Sequence, residues 1–430
     1  MHLRRRLRPA ALLTGVLALL VLPGLAPPPS AAPHGATEAT GAAPTALPMV
    51  PRLPEPSGGL PVGTTTLRLV DEDRIDPWTH SGPRQLMVSL WYPSAGTAGT
   101  ERAPWMPAPV ATRFADQAER DLRTPPGRID WAATTTHSAI DAPVASPLAT
   151  RPVLVYSHGM ATTRAWNTVL VEELASRGYI VVTVDHTHEA FGVQFDDGQT
   201  VWGRPTGSRT EDGLAKPMLV RLQDTEFVLS ALARQSVLRR LPGGLGSALD
   251  LERVALLGHS AGGITAAEAM AKDPRIDAGI DLDGFNVTSD QYLWPGVRTV
   301  LRCGLDRPFL ILGSDRGSPA ALPRVLTARS PRNVTFERLP GTRHFAFTDF
   351  QAVLPDLQRQ LGLPRERITE LIGDADPSTT LKRQLRLVTA FLDRHLSAPG
   401  RETGRGTPGQ VEAAGRRLTG SVASPCRKLE

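Results

Sequence analysis

The sequence has few cysteines and few aromatic residues: two of its 430 residues are cysteine and 5% are Phe, Trp or Tyr. Cys303 and Cys426 lie far apart, and neither belongs to a CxxC pair, which argues against a structural metal site. Two cysteines of an exported protein often pair, so we expect a Cys303–Cys426 disulfide that joins the C-terminal tail to the body. Two unpaired thiols are the alternative.

The sequence also lacks a concentration of positive charge in its middle. The formal net charge is +5, but residues 1–32 carry four arginines and no acid, and residues 396–430 carry six basic and three acidic residues. Residues 33–395 therefore have a net charge of −2. Since a nucleic-acid-binding domain concentrates positive charge on its folded surface, we expect no nucleic-acid partner.

No long apolar run follows residue 22, so the N-terminus is the one candidate for a membrane segment. Four arginines stand within the first eight residues, residues 10–22 are mostly apolar, and prolines and small residues follow up to Ala32. This order is typical of a signal peptide, which we predict over residues 1–32, and it indicates secretion to the extracellular space. A membrane anchor is the alternative, but the apolar run is short for a span.

Two segments have the composition of flexible chain. Residues 33–58 are rich in Ala, Pro, Gly and Thr and are predicted to be a flexible linker. Residues 397–430 are rich in Gly, Arg, Ser and Ala and are predicted to be a flexible C-terminal tail. The folded domain is therefore expected between residues 59 and 396.

Within this domain, buried β-branched segments alternate with segments of helical spacing. Strands are predicted at residues 86–92, 153–156, 179–184, 254–257, 278–282, 308–312 and 334–338, and helices at residues 168–176, 219–232, 262–271 and 381–395. The alternation predicts an α/β fold whose mostly parallel central sheet is flanked by helices. Residues 94–150 and 191–218 have weak periodicity and are predicted to be long loops.

The motif with the strongest chemical signal is Gly-His-Ser-Ala-Gly at residues 258–262. It follows a short apolar strand and begins an Ala-rich helix, which is the context of a nucleophile elbow. The turn exposes the hydroxyl of Ser260, and the helix N-terminus behind it stabilises a developing oxyanion. A glycine-rich turn without function is the alternative reading of the motif alone.

A serine hydroxyl needs a histidine base that a carboxylate orients. In hydrolases with such an elbow, the chain order is serine, acid, histidine. His344 fits this order, because it lies in a loop after the strand predicted at residues 334–338. The later His395 lies at the end of the last helix, where a dipole-complementing role is expected instead.

Three aspartates follow or end strands at the edge where Ser260 is expected. Asp283 follows the strand predicted at residues 278–282, and Asp315 follows the one at residues 308–312. Spacing alone does not choose between them, and turn or capping aspartates are common at such positions. Asp281 is a third candidate.

An oxyanion hole needs two backbone N–H donors. The N–H of Ala261, directly after the serine, is one candidate. The N–H of Met160 is the other, because Gly159 before it permits a close approach at the end of the strand predicted at residues 153–156.

His186 and His188 lie two residues apart beside carboxylates, which is one arrangement of metal ligands. They follow a predicted central strand, so we interpret them as residues of a turn or of the pocket wall rather than as metal ligands.

Together these segments resemble the platelet-activating-factor acetylhydrolase isoform II family, which are serine-dependent lipases of the α/β-hydrolase fold. The resemblance rests on residues 155–160, 174–181, 258–263 and 280–284 and on the histidine loop at 344–350. It implies that the triad is Ser260, Asp283 and His344, with Asp315 as the fallback acid. It also implies Met160 and Ala261 as oxyanion donors, and neither a metal nor another cofactor.

The resemblance further implies the activity. We expect a secreted serine esterase that hydrolyses short-chain carboxylic esters of small molecules or lipids, in the manner of an acetylhydrolase or phospholipase A2, and that acts as a monomer in transient contact with membrane or lipid surfaces. A lipase or cutinase-like polyester hydrolase is the alternative enzyme, since the same triad serves it. A hydrolase-like binding protein is the alternative outside catalysis.

Overall fold

The computed structural model describes residues 47–145, 150–204, 211–287, 298–315 and 321–397. The predicted signal peptide and all of the predicted C-terminal tail except Ser397 lie outside these ranges, as does Cys426. The signal peptide, the tail and the Cys303–Cys426 disulfide therefore stay predictions.

The described chain alternates strands and helices over most of its length. The strands are β1 (Val62–Ile75), β2 (Pro83–Pro93), β3 (Arg102–Pro104), β4 (Thr135–Ile140), β5 (Arg151–Ser157), β6 (Ile180–Asp185), β7 (Gly192–Gln194), β8 (Thr200–Trp202), β9 (Leu249–His259), β10 (Ala278–Leu282), β11 (Phe309–Ser314) and β12 (Val334–Leu339). The helices are α1 (Ala108–Leu122), α2 (Thr168–Ser176), α3 (Glu211–Leu232), α4 (Gln235–Leu238), α5 (Leu245–Ala248), α6 (Ala261–Lys272), α7 (Gly284–Val287), α8 (Arg298–Cys303), α9 (Ala321–Arg329), α10 (Phe350–Leu361), α11 (Arg365–Ile372) and α12 (Pro377–Leu396).

One large sheet organises these elements. Its strand order is β12-β11-β10-β9-β5-β6-β2-β1-β4-β3, and β7 pairs with β8 separately. The strands from β12 to β6 run parallel to one another, whereas β2 is antiparallel to both β6 and β1. The predicted α/β fold with a mostly parallel central sheet is therefore confirmed.

The central strands are apolar on both faces because helices cover both sides of the sheet. In β9, Val254 and Leu256 belong to one hydrophobic cluster, with residues of α3, α6 and α9. Ala255 and Leu257 point the other way and pack in a second cluster, with residues of α2, α10 and α12. Burying each Val or Leu side chain contributes about 1.5–3 kcal/mol. Because β9 is apolar on both faces, it is most stable in the centre of the sheet, where both faces are covered.

The order of the strands also determines where a site can form. From β5 the chain passes through α2 to β6 on one side, while β9 pairs with β5 on the other side. Loops after β5 and β9 therefore diverge and leave a crevice at the carboxyl ends of these strands. Met160 and Ser260 follow these two strand ends, so both lie at this edge.

The prediction of a long loop at residues 94–150 is wrong. The segment contains β3, α1 and β4. In α1 the ring of Phe114 packs edge-on against Trp131 and Trp166, with ring centroids 5.1 Å apart in both pairs. The indole N–H of Trp105 donates to Asp349 at 2.9 Å. The segment is held to the rest of the fold by a few aromatic contacts. Because these contacts do not need a regular alternation of apolar residues, the periodicity of its sequence is weak.

The prediction of a loop at residues 191–218 is wrong as well. The strands β7 and β8 form a short antiparallel pair, and α3 begins at Glu211 rather than near residue 219. Pro217 lies inside α3, where it lacks the N–H of a helical residue. The proline is therefore a sequence signal against a helix at this position. The helix forms nevertheless, because α3 packs against α6.

The prediction of a flexible linker at residues 33–58 is wrong for residues 47–58, which pack against the folded domain. Pro51 and Leu53 are buried, and the hydroxyl of Ser57 donates to Glu173 at 2.7 Å. Met49 forms a bridge with Ile129. The packed part of the described chain thus begins before residue 59.

Among the helices in the described ranges, none combines the length and apolarity needed to cross a bilayer.

The carboxyl group of Glu268 is expected to make the free energy of unfolding fall as the pH rises from about 5 to about 8. This side chain of α6 is fully buried, its Oε1 accepts the Val300 N–H at 3.1 Å, and burial raises its pKa from 4.5 to about 7. Between these values the folded chain holds a proton that the unfolded chain releases. The contribution is complete below pH 4.5 and is lost through about pH 7, and it amounts to about 3 kcal/mol.

Urea unfolding at both pH values measures this effect. Glu268→Gln keeps the accepting oxygen and should remove that part of the pH dependence, whereas Glu252→Gln at an exposed position of β9 should retain it. An unchanged difference in Glu268→Gln would show that the Glu268 carboxyl does not cause it.

Candidate active site

Ser260 lies in a sharp turn between β9 and α6, as the elbow motif predicts. Its φ is 56° and its ψ is −120°, a backbone conformation that L residues adopt rarely and that active sites retain. The N–H of Ser260 donates to the Leu282 carbonyl at 2.9 Å, which anchors the turn to β10. The hydroxyl is thereby held at the carboxyl edge of the sheet.

Glycines on either side of Ser260 permit the turn because other backbone passes very close to them. A Cβ on Gly262 would lie 1.9 Å from the carbonyl oxygen of Ser157, and a Cβ on Gly258 would lie 2.4 Å from the same oxygen. Both distances are far below van der Waals contact, so β5 and the elbow pack together only without side chains here.

Gly262→Ala is accordingly expected to lower the free energy of unfolding by about 3 kcal/mol or more, as overpacking against fixed backbone does. Gly243→Ala is the matched control, because a Cβ there meets no atom within 4 Å and should change stability by less than about 0.5 kcal/mol. Urea unfolding of both variants measures the difference. Equal stabilities would contradict the close packing of the elbow.

His344 begins a short 3-10 turn, His344–Phe347, after β12. Its Nε2 lies 3.1 Å from the Ser260 Oγ, and its Nδ1 lies 2.8 Å from the Asp283 Oδ2. Since a carboxylate only accepts, Nδ1 carries the proton and donates to Asp283. Nε2 then has a free lone pair that faces the serine hydroxyl, which is the arrangement a general base requires.

Asp283 is fully buried directly after β10 and has a φ of 62°. Its Oδ1 accepts from the Ser314 N–H at 2.6 Å and from the Asn286 side-chain amide at 2.9 Å, and its Oδ2 accepts from the Ser314 hydroxyl at 3.1 Å. Including His344, four donors meet this carboxylate. They compensate its burial and fix the oxygen that orients the imidazole.

The other two candidate acids lie elsewhere. Asp315 is exposed, and its carboxylate accepts the N–H of Gly341 in a turn. Asp281 is buried and accepts the N–H groups of Gly284 and Phe285 at 2.8 and 2.9 Å. Burial, together with the charge of Asp283, raises the pKa of Asp281 to about 8. Of the three acids, only Asp283 is hydrogen-bonded to the histidine.

The two predicted oxyanion donors come from two segments that meet at Ser260: Met160 follows β5, and Ala261 begins α6. Gly159 approaches Ser260 so closely that a Cβ on the glycine would be 3.5 Å from the serine Cβ. Within the described ranges, neither the Met160 N–H nor the Ala261 N–H donates to an acceptor. Ala261 is the first residue of α6, whose N-terminal amides are favourable for negative charge. The oxyanion role of both residues stays a prediction that this placement supports.

Comparison with known families agrees with this site. The model of the alpha/beta hydrolase family matches residues 153–415, which is more than half of the chain. The chain belongs to the α/β-hydrolase family. The model of platelet-activating factor acetylhydrolase, isoform II, matches residues 49–197, which confirms the resemblance found in the sequence.

Individual relatives of this α/β-hydrolase are esterases or acetylhydrolases by name. A "Probable 1-alkyl-2-acetylglycerophosphocholine esterase" of Arthroderma benhamiae is 28% identical over 351 residues, which are 77% of this chain and 84% of the relative. A "Platelet-activating factor acetylhydrolase" of Gallus gallus is 23% identical over 378 residues, 80% of this chain and 84% of the relative. The solved structure of a ferulic acid esterase from Streptomyces cinnamoneus is 32% identical, with a TM-score of 0.61, and the alignment covers 83% of this chain and 96% of that one.

His259 lies directly beside His344 in this α/β-hydrolase. Its ring lies against that of His344, with centroids 4.4 Å apart, and its Nε2 donates to the His344 carbonyl at 3.1 Å. Burial and the neighbouring His344 lower the pKa of His259 well below its ordinary value. A neutral His259 therefore holds the backbone of His344 in place.

His186 is buried and belongs to a network that sequence reasoning missed. Its Nε2 lies 3.0 Å from the Ser157 Oγ and its Nδ1 3.0 Å from the Asp224 Oδ2. Burial lowers the pKa of His186 to about 4, so the ring is neutral. His188 is half-buried in a turn, 4.0 Å from Asp76. No group of residues in the described ranges has the makeup of a metal site.

The sequence did contain one signal for this network. Arg221 and Asp224 lie three residues apart in α3, on the same face as buried apolar residues of this helix such as Val228, and both are fully buried. Buried charges of opposite sign indicate a paired, structured interior, but their partners lie far away in the chain, and the pattern alone does not name them.

Proposed function

We propose that this α/β-hydrolase is an exported serine esterase that hydrolyses short-chain carboxylic esters through Ser260, His344 and Asp283. At the coarser level the chain is a carboxylic ester hydrolase, in agreement with the names of its relatives. The observation that carries the proposal is the continuous chain of contacts from Ser260 Oγ to His344 Nε2 at 3.1 Å and from His344 Nδ1 to Asp283 at 2.8 Å.

In the first half of the proposed reaction, the Ser260 Oγ attacks the ester carbonyl carbon while its proton passes to His344 Nε2. The carbonyl π electrons move to oxygen, and the N–H groups of Met160 and Ala261 receive the oxyanion. The tetrahedral intermediate then collapses. The bond to the alcohol oxygen breaks, and His344 returns its proton to the leaving alcohol, which leaves an acyl-enzyme.

In the second half, His344 takes a proton from water as the water oxygen attacks the acyl carbon. The second tetrahedral intermediate expels Ser260 Oγ, which regains the proton from His344, and the carboxylic acid leaves. Asp283 holds the Nδ1–H tautomer throughout and stabilises the imidazolium that forms twice. No metal or other cofactor takes part in these steps.

The acyl preference is proposed from the relatives. Two relatives that align with most of this chain are named an acetylglycerophosphocholine esterase and a platelet-activating factor acetylhydrolase. Export is proposed from the sequence of residues 1–32, whose basic, apolar and small-residue segments follow the order of a signal peptide. An exported acetylhydrolase-like enzyme would meet lipid or small-molecule esters outside the cell, with transient contact at lipid surfaces.

Hydrolysis of p-nitrophenyl esters from acetate to palmitate, alongside methyl ferulate, is expected to show the highest kcat/KM for acetate. The first methylene that the acyl pocket cannot accommodate should cost about 1–3 kcal/mol of transition-state binding, which lowers kcat/KM about 10–200-fold. A maximum at long acyl chains or on a polyester would replace the proposal with a lipase or cutinase-like enzyme. A maximum on methyl ferulate would replace it with an enzyme for aromatic acids, like the Streptomyces relative.

A further inference from the structure

Arg221 is a fully buried cation that touches the loop proposed to form half of the oxyanion hole. It projects from α3, and none of its surface is exposed. Its Nη1 donates to the His158 carbonyl at 2.6 Å, and its Nη2 donates to the Gly159 carbonyl at 3.2 Å. Arg221 thus contacts the two peptide groups that directly precede Met160.

A second observation concerns the carbonyl of Gly159, which accepts from several donors at once. Besides Arg221, it receives the Nδ1–H of His158 at 2.7 Å, the Thr162 hydroxyl at 3.0 Å and the Thr162 N–H at 3.2 Å. A carbonyl oxygen has two lone pairs, so four donors within 3.2 Å surround it completely. The orientation of this peptide group is therefore closely constrained.

The constraint has a direct consequence for Met160. The C=O of Gly159 and the N–H of Met160 belong to the same planar trans peptide, in which they point in opposite directions. Holding the oxygen toward Arg221 therefore turns the N–H away from Arg221. Donors at the oxygen also polarise the peptide and make its N–H a stronger donor. Orientation and polarisation both favour an oxyanion at the Met160 N–H.

Glu189 contacts both Arg221 and the loop that follows Met160. Its Oε2 lies 2.6 Å from Arg221 Nη2, and its Oε1 accepts the Ala161 N–H at 2.7 Å. The carboxylate balances the buried cation, which would otherwise be costly. It also removes the Ala161 N–H from competition. Among the hydrogen bonds of the described ranges, the N–H groups of Ala161 and Thr162 then have acceptors and that of Met160 has none.

We infer that Arg221, with Glu189 as its counter-ion, is a positioning residue for the oxyanion hole: it holds the Gly159 carbonyl so that the Met160 N–H faces the oxyanion. This inference rests on the proposed function. The opposing hypothesis is that Arg221 stabilises the fold alone, as other buried arginines of the chain do. Arg84 is the matched case, because it is equally buried and pairs with Asp224 and Asp76 but does not contact residues 157–161.

The experiment compares oxygen esters with thionoesters in the full-length mature enzyme. In a thionoester the developing charge lies on sulfur, which accepts hydrogen bonds weakly, so the ratio of kcat/KM for the oxygen ester to that for the thionoester reports the oxyanion hole. Arg221→Lys keeps the charge but loses the planar fork that reaches two carbonyls. Thr162→Val removes one donor to Gly159 with little change in shape. Arg84→Lys is the control.

Arg221→Lys is expected to lower kcat about 10–100-fold with KM nearly unchanged, which is less than the effect of deleting an oxyanion donor outright. Thr162→Val should lower kcat about 3–10-fold, as the loss of one hydrogen bond does. In both variants the oxygen-to-thiono ratio should fall by about threefold or more. Arg84→Lys should keep the wild-type ratio and most of the wild-type kcat.

A wild-type ratio and kcat in both Arg221→Lys and Thr162→Val would overturn the inference, and so would equal losses in Arg221→Lys and Arg84→Lys with the ratio unchanged. The proposed function itself fails in a different way. In that case the wild-type protein shows no ester hydrolysis that Ser260→Ala abolishes, and the inference then falls with it.

Discussion

Replacing Ser260 with alanine is expected to lower kcat for ester hydrolysis by about 10⁵–10⁶-fold without unfolding the protein. The substitution removes only the Oγ that His344 contacts at 3.1 Å, and alanine has the same Cβ as serine at the positive φ of the turn. No acyl-enzyme can then form, and only the oxyanion donors and substrate binding remain. Steady-state kinetics, with circular dichroism to confirm folding, measures the loss.

The chain provides a strong control for this variant. Ser157, His186 and Asp224 also form a Ser-His-Asp series, with both contacts at 3.0 Å. That series is buried and has no access for an ester, so Ser157→Ala is expected to retain turnover within about tenfold. Turnover that survives in Ser260→Ala but disappears in Ser157→Ala would refute Ser260 as the nucleophile.

Asp283→Asn should be the next most damaging change, with kcat lowered about 10⁴-fold. An asparagine amide facing His344 Nδ1 donates where the carboxylate accepts, so the imidazole turns to the tautomer whose Nε2 carries the proton. That nitrogen then offers no lone pair to Ser260. The free energy of unfolding should change much less than kcat, because Ser314 and Asn286 can still donate to the remaining carbonyl oxygen.

Asp315→Asn tests the fallback acid, which spacing alone did not separate from Asp283. Asp315 is exposed, and among the described residues its carboxylate accepts from the turn at Gly341, so we expect its variant to keep kcat within about threefold of the wild type. Kinetics of both variants over about pH 5–9 tests the assignment. A large loss in Asp315→Asn with normal turnover in Asp283→Asn would mean that the histidine uses the later acid.

The sequence was most informative where chemistry depends on local pattern. Ser260 stands in a motif between an apolar strand and a small-residue helix, and His344 lies late in the chain after a recognisable strand. The choice of Asp283 over Asp315 was different, because both follow parallel strands that end at the same edge. The family resemblance favours Asp283, and the geometry of that edge, with His344 Nδ1 at 2.8 Å from Asp283, supports the same choice.

Features that depend on pairing between distant residues could not be derived in this way. Arg84 and Asp224 are 140 residues apart and meet only when β2 and α3 are placed in the fold. The helix α1 was missed for a related reason, since its apolar face is completed by Trp131 and Trp166 from other segments. Buried charges and isolated tryptophans in the sequence indicate that such contacts exist but do not identify the partners.

The central claim is that Ser260 forms the covalent intermediate, and labelling with a fluorophosphonate tests it most directly. The wild-type enzyme is incubated with the probe, digested, and analysed by mass spectrometry. The account predicts a single phosphonylated peptide, modified at Ser260, with activity lost in proportion to labelling and no adduct in Ser260→Ala. An adduct on another residue, or ester hydrolysis that persists in fully labelled protein, would contradict it.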